Sequence, residues 1–373
     1  MTLAQSALGD LVGPRQRGRY QGLFSSAMSV STVVGPLLGG LLLAITSWRW
    51  IFLASLPIGI LALVLIFAAL PSGRGTREHR VDVASVIFWI VAAASGLLFL
   101  STIGSTGGTS GLFLLATCAT AVIFTGLFLR RELHAPEPIL SLSLFRIPSF
   151  AVAVTAAALM TFAMHAATVF LPLYFQTVLG QRPEISGMML LPQVSGMIVS
   201  ATVGGRFSAR TGEFKHYLLV GVSLEATALA LLVLCALMNA GPGPFMIALL
   251  VLGLGTGLGM PNAIVIVQNA VPREMLGAAT GTMSCLRSLG GAFGVALSGC
   301  VMQSWLGFGS SAPSLDHLTG VDQGLRSAVE ALRIGIASSF GCGAVVMIAA
   351  LLACTRLPAR DVRDGSSRLR MPA

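Results

Sequence analysis

The apolar residues of this chain are gathered into uninterrupted runs of about 20, the length at which a helix crosses the roughly 30 Å hydrocarbon layer of a bilayer. Ten such runs can be drawn, near residues 20–45, 50–70, 82–104, 111–130, 150–178, 185–205, 217–238, 245–270, 277–303 and 334–356. They are continuous and rich in Leu, Ala, Gly and Val, unlike the ten-residue alternating segments of a membrane β-barrel. The fold class predicted is therefore all-α integral membrane with about ten transmembrane helices. Composition agrees, since 10% charged residues against 55% hydrophobic leaves too little charge to cover a water-soluble surface.

A formal net charge of +9 would suggest nucleic acid in a soluble protein, but here the charges are scattered through the loops between runs. Cytoplasmic loops retain Lys and Arg while translocated loops lose them. Counted by alternate loops, one side holds Arg15, Arg17, Arg19, Arg74, Arg77, Arg80, Arg130, Arg131, Arg146, Arg206, Arg210, Lys215, Arg273, Arg356, Arg360, Arg363, Arg368 and Arg370. The other holds Arg49, Arg182, Arg326 and Arg333, and Arg287 falls inside a run. Strict alternation predicts both termini in the cytoplasm. The six cysteines lie in or at the ends of apolar runs without CxxC spacing, so they read as small buried residues rather than disulfides or metal ligands. No basic start followed by an apolar core opens the chain, so no secretory signal is read there.

Loop lengths divide the chain. Two runs form a hairpin through Thr46-Ser47-Trp48-Arg49-Trp50, with its tryptophans at interfacial depth, and a basic stretch follows at 72–82. A second hairpin turns through the uncharged segment 104–110, and a proline-bearing connection, 130–149, leads to six further runs. The long loop 304–333 repeats Val321, Leu325, Ala328, Val329 and Leu332 opposite charged residues. That stripe predicts a short helix lying in the outer interface, with a lid over the pathway as the alternative.

The first run carries the strongest motif: Gly22, eight residues, Ser31, three residues, Gly35-Pro36, two residues, Gly39-Gly40. Glycines three or four apart clear a helix face for close approach, and Pro36 removes a backbone hydrogen bond and bends the helix. The pattern suits either a flexing contact between two moving halves or a general packing face. It resembles the antiporter signature of the fifth helix in drug/proton antiporters of the major facilitator superfamily, with Ser31 replacing the second glycine. Arg17-Gly18-Arg19, Ser47-Trp48-Arg49-Trp50-Ile51-Phe52, Leu56-Pro57-Ile58-Gly59, Leu171-Pro172-Leu173-Tyr174-Phe175-Gln176, Leu191-Pro192 and Arg287-Ser288-Leu289-Gly290-Gly291 resemble the fourteen-helix, EmrB/QacA-type branch. The resemblance implies that 1–71 is the remainder of an N-terminal bundle, 72–134 two extra linker helices, 135–356 a C-terminal six-helix bundle and 357–373 a basic cytoplasmic tail. It also implies an N-terminally truncated chain, short of three helices and most of a fourth. The expected activity is export of hydrophobic or cationic small molecules in exchange for protons by alternating access. The alternative is a transport-incompetent remnant, or a fragment that needs a separate N-terminal portion. Gly205, Arg206, Arg210 and Gly212 resemble the second-half cytoplasmic loop motif, although Ala209 stands where that pattern has an aspartate.

Ionisable groups inside membrane spans are candidates for function by default. Glu225, near the middle of the seventh run, is read as a proton carrier or cationic-drug site, or else as a neutral acid hydrogen-bonded between helices. Arg287, in the ninth run, is read as a structural or gating group, or as a partner of Glu225 or of a backbone carbonyl. It sits at the edge of a small-residue stripe, Gly277, Gly281, Ser284, Ser288 and Gly291, expected to face protein. His165, Gln193, Asn262, Gln268 and Asn269 are further pathway candidates. Asn262 ranks highest because Gly257 to Pro261 suggests a broken helix. No HExxH, GxSxG or Walker pattern occurs, so neither an enzyme nor an ATP-driven pump is expected. The proton gradient serves as energy source with no cofactor and no metal. The expected partners are the lipid bilayer of a bacterial inner (cytoplasmic) membrane and the small-molecule substrates, not nucleic acid; an envelope adaptor protein stays open.

Overall fold

A computed structural model describes residues 12–13, 16–17, 19–24, 26–28, 30–31, 42, 46–69, 82–104, 110–134, 140–272, 275–310 and 320–356. Among the described residues there is no strand. A leading helical segment covers the described part of 16–31. The helices that follow are α1 (Trp48–Ala69), α2 (Val83–Ile103), α3 (Gly111–Glu132), α4 (Pro148–Thr168), α5 (Leu171–Thr177), α6 (Pro183–Met188), α7 (Leu191–Thr211), α8 (Phe214–Leu237), α9 (Pro242–Ala270), α10 (Leu276–Ser310) and α11 (Gly320–Thr355). A 3-10 turn at Leu142–Arg146 precedes α4.

Among the described residues eight stretches are long and apolar enough to cross a membrane: Val83–Ile103, Gly111–Glu132, Pro148–Thr177, Ile185–Thr211, Phe214–Leu237, Pro242–Ala270, Leu276–Trp305 and Ala328–Thr355. They coincide with the last eight predicted runs. The second run is α1, whose apolar part is the shorter Phe52–Ala68, while most of the first run lies outside the described residues. Large side chains such as Phe52, Ile58 and Phe67 on α1, Val122 on α3 and Val345 on α11 are exposed, the arrangement required where the solvent is lipid.

Two spans are interrupted beside a proline. α4 yields to α5 at Val169 and Phe170, just before Pro172, and α6 yields to α7 at Met189 and Leu190, just before Pro192. Proline has no N–H and is best placed in a helix's first turn, so the chain restarts there. Pro261 behaves otherwise. The break expected near it does not occur, because α9 runs through it from Pro242 to Ala270. Neighbouring helices pack against this segment at backbone distance, and it stays helical.

That grip comes from Gly253-Leu254-Gly255-Thr256-Gly257-Leu258-Gly259. Two residues turn a helix by about 200°, so alternate glycines split into two stripes on opposite faces. A Cβ on Gly253 or Gly257 would strike the backbone of Gln193 or Met197 on α7. One on Gly255 or Gly259 would fall on the other side, against Gly221 and Glu225 of α8 or Met160 of α4. α9 therefore lies between α7 and α8 at backbone contact, while α8 also packs on α11 and α4 packs on α10 and α11. Phe150, Met160, Tyr174, Phe175, Leu229, Phe245 and Phe340 fill the space between.

The hairpin α2–α3 docks on α10, with Gly104 against the Cys300 backbone and Gly96 against Phe293. Its basic end is tied by Arg131 Nε and Nη2 donating to the Asp82 carboxylate at 2.6 and 3.0 Å. Asp82 also caps α2 by accepting from Ala84 N at 3.2 Å. The separate interfacial helix expected near 321–333 is absent: α11 is continuous from Gly320 to Thr355. No proline interrupts that stretch, and Gly335 packs on Met302 rather than ending the helix. Contacts between helix ends agree with the predicted alternation. Lys215 Nζ donates to Thr355 O at one end, and Arg333 Nη1 donates to Leu237 O at the other, both at 3.4 Å.

Two outcomes test this account. Gly253→Leu should cost on the order of 1–3 kcal/mol by overpacking and lower the thermal midpoint in detergent by several degrees. Gly126→Leu, where nothing lies within 4 Å, should leave it nearly unchanged. The Arg131 guanidinium holds the Asp82 carboxyl at about 2, below its ordinary 3.8. The pair's contribution is therefore complete above about pH 4 and lost only as pH falls through about 2. Infrared difference spectra of wild type against Asp82→Asn should show the protonated carboxyl band of Asp82 only in that acidic range.

Candidate functional site

The sequence candidates fall into three places. The first is a cavity of about 400 Å³ between α4 and α10, lined by Thr161, His165, Arg287, Ser288, Gly291, Ala292 and Val295. Spacing builds both walls. Thr161 and His165 are four apart and share a face of α4, while Arg287, Gly291 and Val295 recur every four residues on α10. The helices meet through Gly290 against the Ala158 backbone and Gly294 against the Phe162 backbone. The stripe expected to face protein does so only in part: Gly291 is buried against Thr161 and His165, while Gly277 and Ser288 are exposed and nothing lies within 4 Å of a Cβ on Gly281. The packing pair is the offset one, and Gly291, with His165 3.4 Å from its would-be Cβ, opens the cavity.

Within it, His165 Nδ1 is 2.9 Å from Thr161 O. A carbonyl only accepts, so Nδ1 carries the proton and Nε2 is left for a ligand. The hydroxyls of Thr161 and Ser288 donate to their own helices, at Ala157 O (2.8 Å) and Ser284 O (3.0 Å). Arg287 Nε is buried without a partner. Neither sequence-stated partner of this arginine is present among the described residues, since no ion pair or hydrogen bond joins it to Glu225 or to a carbonyl. A charge so placed, roughly 16 Å along α10 from Leu276, costs on the order of 2.5 to 3.5 kcal/mol.

The second place is the α7–α8–α9 contact. Glu225 is fully buried there beside Gly255 and Thr256. The Thr256 hydroxyl donates to Leu252 O at 2.9 Å, and both Glu225 oxygens lack a hydrogen-bond partner. Asn262 is also buried, with Nδ2 donating to Leu258 O at 2.7 Å and Oδ1 unpaired. Gln193 lies at the Gly253 contact. None of these three lines the α4–α10 cavity.

The third place is a seam between the leading segment and the second half. Gly22 faces the backbones of Ala201 and Gly205 on α7. Ser26 Oγ is 2.8 Å from Gly22 O and 2.6 Å from the Thr202 hydroxyl, a hydroxyl pair in which either oxygen can donate. Arg17, buried, donates through Nη1 to Gln268 O (3.1 Å) and Asn269 Oδ1 (2.7 Å) at the end of α9. Ser31 is exposed and bonds only to Ala27 O at 2.9 Å. Gly35, Pro36, Gly39 and Gly40 lie outside the described residues. At the end of α7, Gly205 is buried in the seam, Gly212 closes the helix with φ +76°, and Arg206 and Arg210 are exposed without an ion pair among the described residues.

Similarity places this architecture. The profile of the Major Facilitator Superfamily matches residues 1–295. The chain belongs to the major facilitator superfamily. Among curated proteins it is 30% identical over 304 residues to Multidrug transporter protein MdtP of Bacillus subtilis, covering 82% of this chain and 56% of the relative. It is 32% identical over 297 residues to Uncharacterized transporter YebQ of Escherichia coli, covering 78% and 64%. With Multidrug resistance protein Stp of Mycobacterium tuberculosis the figures are 30% over 296 residues, 78% and 54%. This superfamily member thus spans about half the length of the curated relatives it matches.

Sequence reasoning did not find Thr161, Gly294, Ser26 or Thr202. The i, i+4 relation of Thr161 to His165 was available; the pairing of Ser26 with Thr202 was not, because it joins positions far apart in the chain. The seam predicts a cross-link: with the native cysteines replaced, Ser26→Cys with Thr202→Cys should form a disulfide under mild oxidation, read by intact mass. A pair at Ser31 and Thr202 should not form one.

Proposed function

We propose that this chain is the greater part of a proton-coupled exporter of hydrophobic or cationic small molecules, of the fourteen-helix branch, working by alternating access. It sits in a bacterial inner membrane with both ends in the cytoplasm. The observation that carries the reading is the seam. The leading helix meets the second half through Arg17, Gly22 and Ser26 near one membrane face, while Ala27, Met28, Val30 and Ser31 further along are exposed. Among the described residues the contact lies at one end, which suits a rocking pair of halves that closes that face and opens the other. The names of MdtP and Stp support a multidrug substrate range, and the arginine asymmetry supports the orientation. Glu225, buried within the moving half with no partner, is the candidate proton carrier.

A second reading follows from the length relation: a chain spanning about half of its relatives works only together with a separate N-terminal portion, or does not transport. Efflux of a fluorescent cationic dye from cells expressing the chain, with and without a co-expressed N-terminal segment, decides between them. Efflux by the chain alone supports the first reading. Efflux only on co-expression supports the need for a separate N-terminal portion, and none in either case supports a chain that does not transport. In whichever form transports, Glu225→Gln should abolish dependence on the pH gradient. Unchanged coupling would remove Glu225 from the pathway.

A further inference from the structure

We infer that the α4–α10 cavity binds the anionic group of an amphipathic organic acid, with the Arg287 guanidinium as its counter-charge. The inference departs from the cationic part of the export reading, adding amphipathic acids, and rests on that reading only for the ligand being cargo.

Both walls of the cavity come from acid-free stretches of sequence. No Asp or Glu occurs between Glu137 and Glu184, which bracket α4, or between Glu274 and Asp316, which bracket α10. Of the acids in the chain, only Glu225 falls in the middle of a membrane run, Asp82, Glu132 and Glu330 standing at run ends, and its helix packs on α9 and α11. Arg287 is permanently charged, its Nε is buried without an acceptor among the described residues, and it lines an open pocket of about 400 Å³. A half-buried guanidinium in the middle of a membrane run, with its Nε shielded from water, calls for an anion, and its planar fork pairs best with a carboxylate. The hydroxyls of Thr161 and Ser288, which donate into their own helices, are neutral and supply no counter-charge. The rest of the lining is apolar or flat: Gly291, Ala292, Val295 and the His165 ring. That surface accepts a greasy body beside the charged end, and the volume falls within the range of drug-sized ligand sites.

The anion has two sources, a free amphiphile or an anionic lipid headgroup, and binding measurements separate them. The full chain would be reconstituted in nanodiscs of phosphatidylcholine alone and titrated with 1-pyrenebutyrate and with its uncharged methyl ester, followed by fluorescence anisotropy. Saturable binding of the carboxylate at least about tenfold tighter than the ester is expected. Arg287→Gln should bring the carboxylate down to the ester's affinity, and Arg287→Lys should retain part of the preference. Equal affinities for acid and ester in the wild type, or a preference that survives Arg287→Gln, would overturn the proposal. If Arg287→Gln does not remain monodisperse, the wild-type acid-to-ester ratio and Arg287→Lys still decide. Phosphatidylglycerol in the discs that displaces the probe would assign the site to a lipid headgroup and overturn the cargo assignment. Because the readout is binding, carboxylate preference without efflux would count against the export reading alone. Efflux without that preference would count against this one alone.

Discussion

Backbone-to-backbone contact along α9 is the constraint on which the second half of this protein depends. Lipid tails are as apolar as leucine, so burying leucine between helices in a membrane gains little, and association rests on close van der Waals contact and interhelical hydrogen bonds. Alternate glycines from Gly253 to Gly259 meet that requirement on two sides at once, placing α7 and α8 against opposite faces of one helix. The same grip keeps α9 helical through Pro261.

Tight packing in one region and a gap in another decide what the polar residues can do. Where α9 is clasped, Glu225 and Asn262 are enclosed, with oxygens that have no partner among the described residues. Where Gly290 and Gly294 bring α10 onto α4, Gly291 leaves room one position along. Arg287 and His165 face that room. One short glycine run thus both joins two helices and holds a space between them.

The contact between the leading segment and the second half follows a different rule. Among the described residues it is polar: a guanidinium on a carbonyl and an amide, a hydroxyl pair, and one glycine against two backbones. The α2–α3 hairpin, by comparison, is bound to α10 through Gly104 and Gly96 and closed at its basic end by Asp82 and Arg131.

By itself the sequence determined the number and limits of the described spans, their alternation and the helical class, because a 30 Å apolar layer imposes its length on every run that crosses it. It also marked Glu225 and Arg287, since ionisable residues are conspicuous in such runs. It misjudged two continuities, the break at Pro261 and the separate helix near 321–333, because each depends on which neighbours hold the segment. Only the tertiary structure decided that Glu225 and Arg287 stand apart, that Gly290 and Gly294 rather than the stripe through Ser284 and Ser288 make the α10 contact, and that His165 joins Arg287 around a cavity. Helical periodicity tells which residues share a face; which face meets another helix is set by how closely two backbones can approach, and that is a property of pairs distant in the chain.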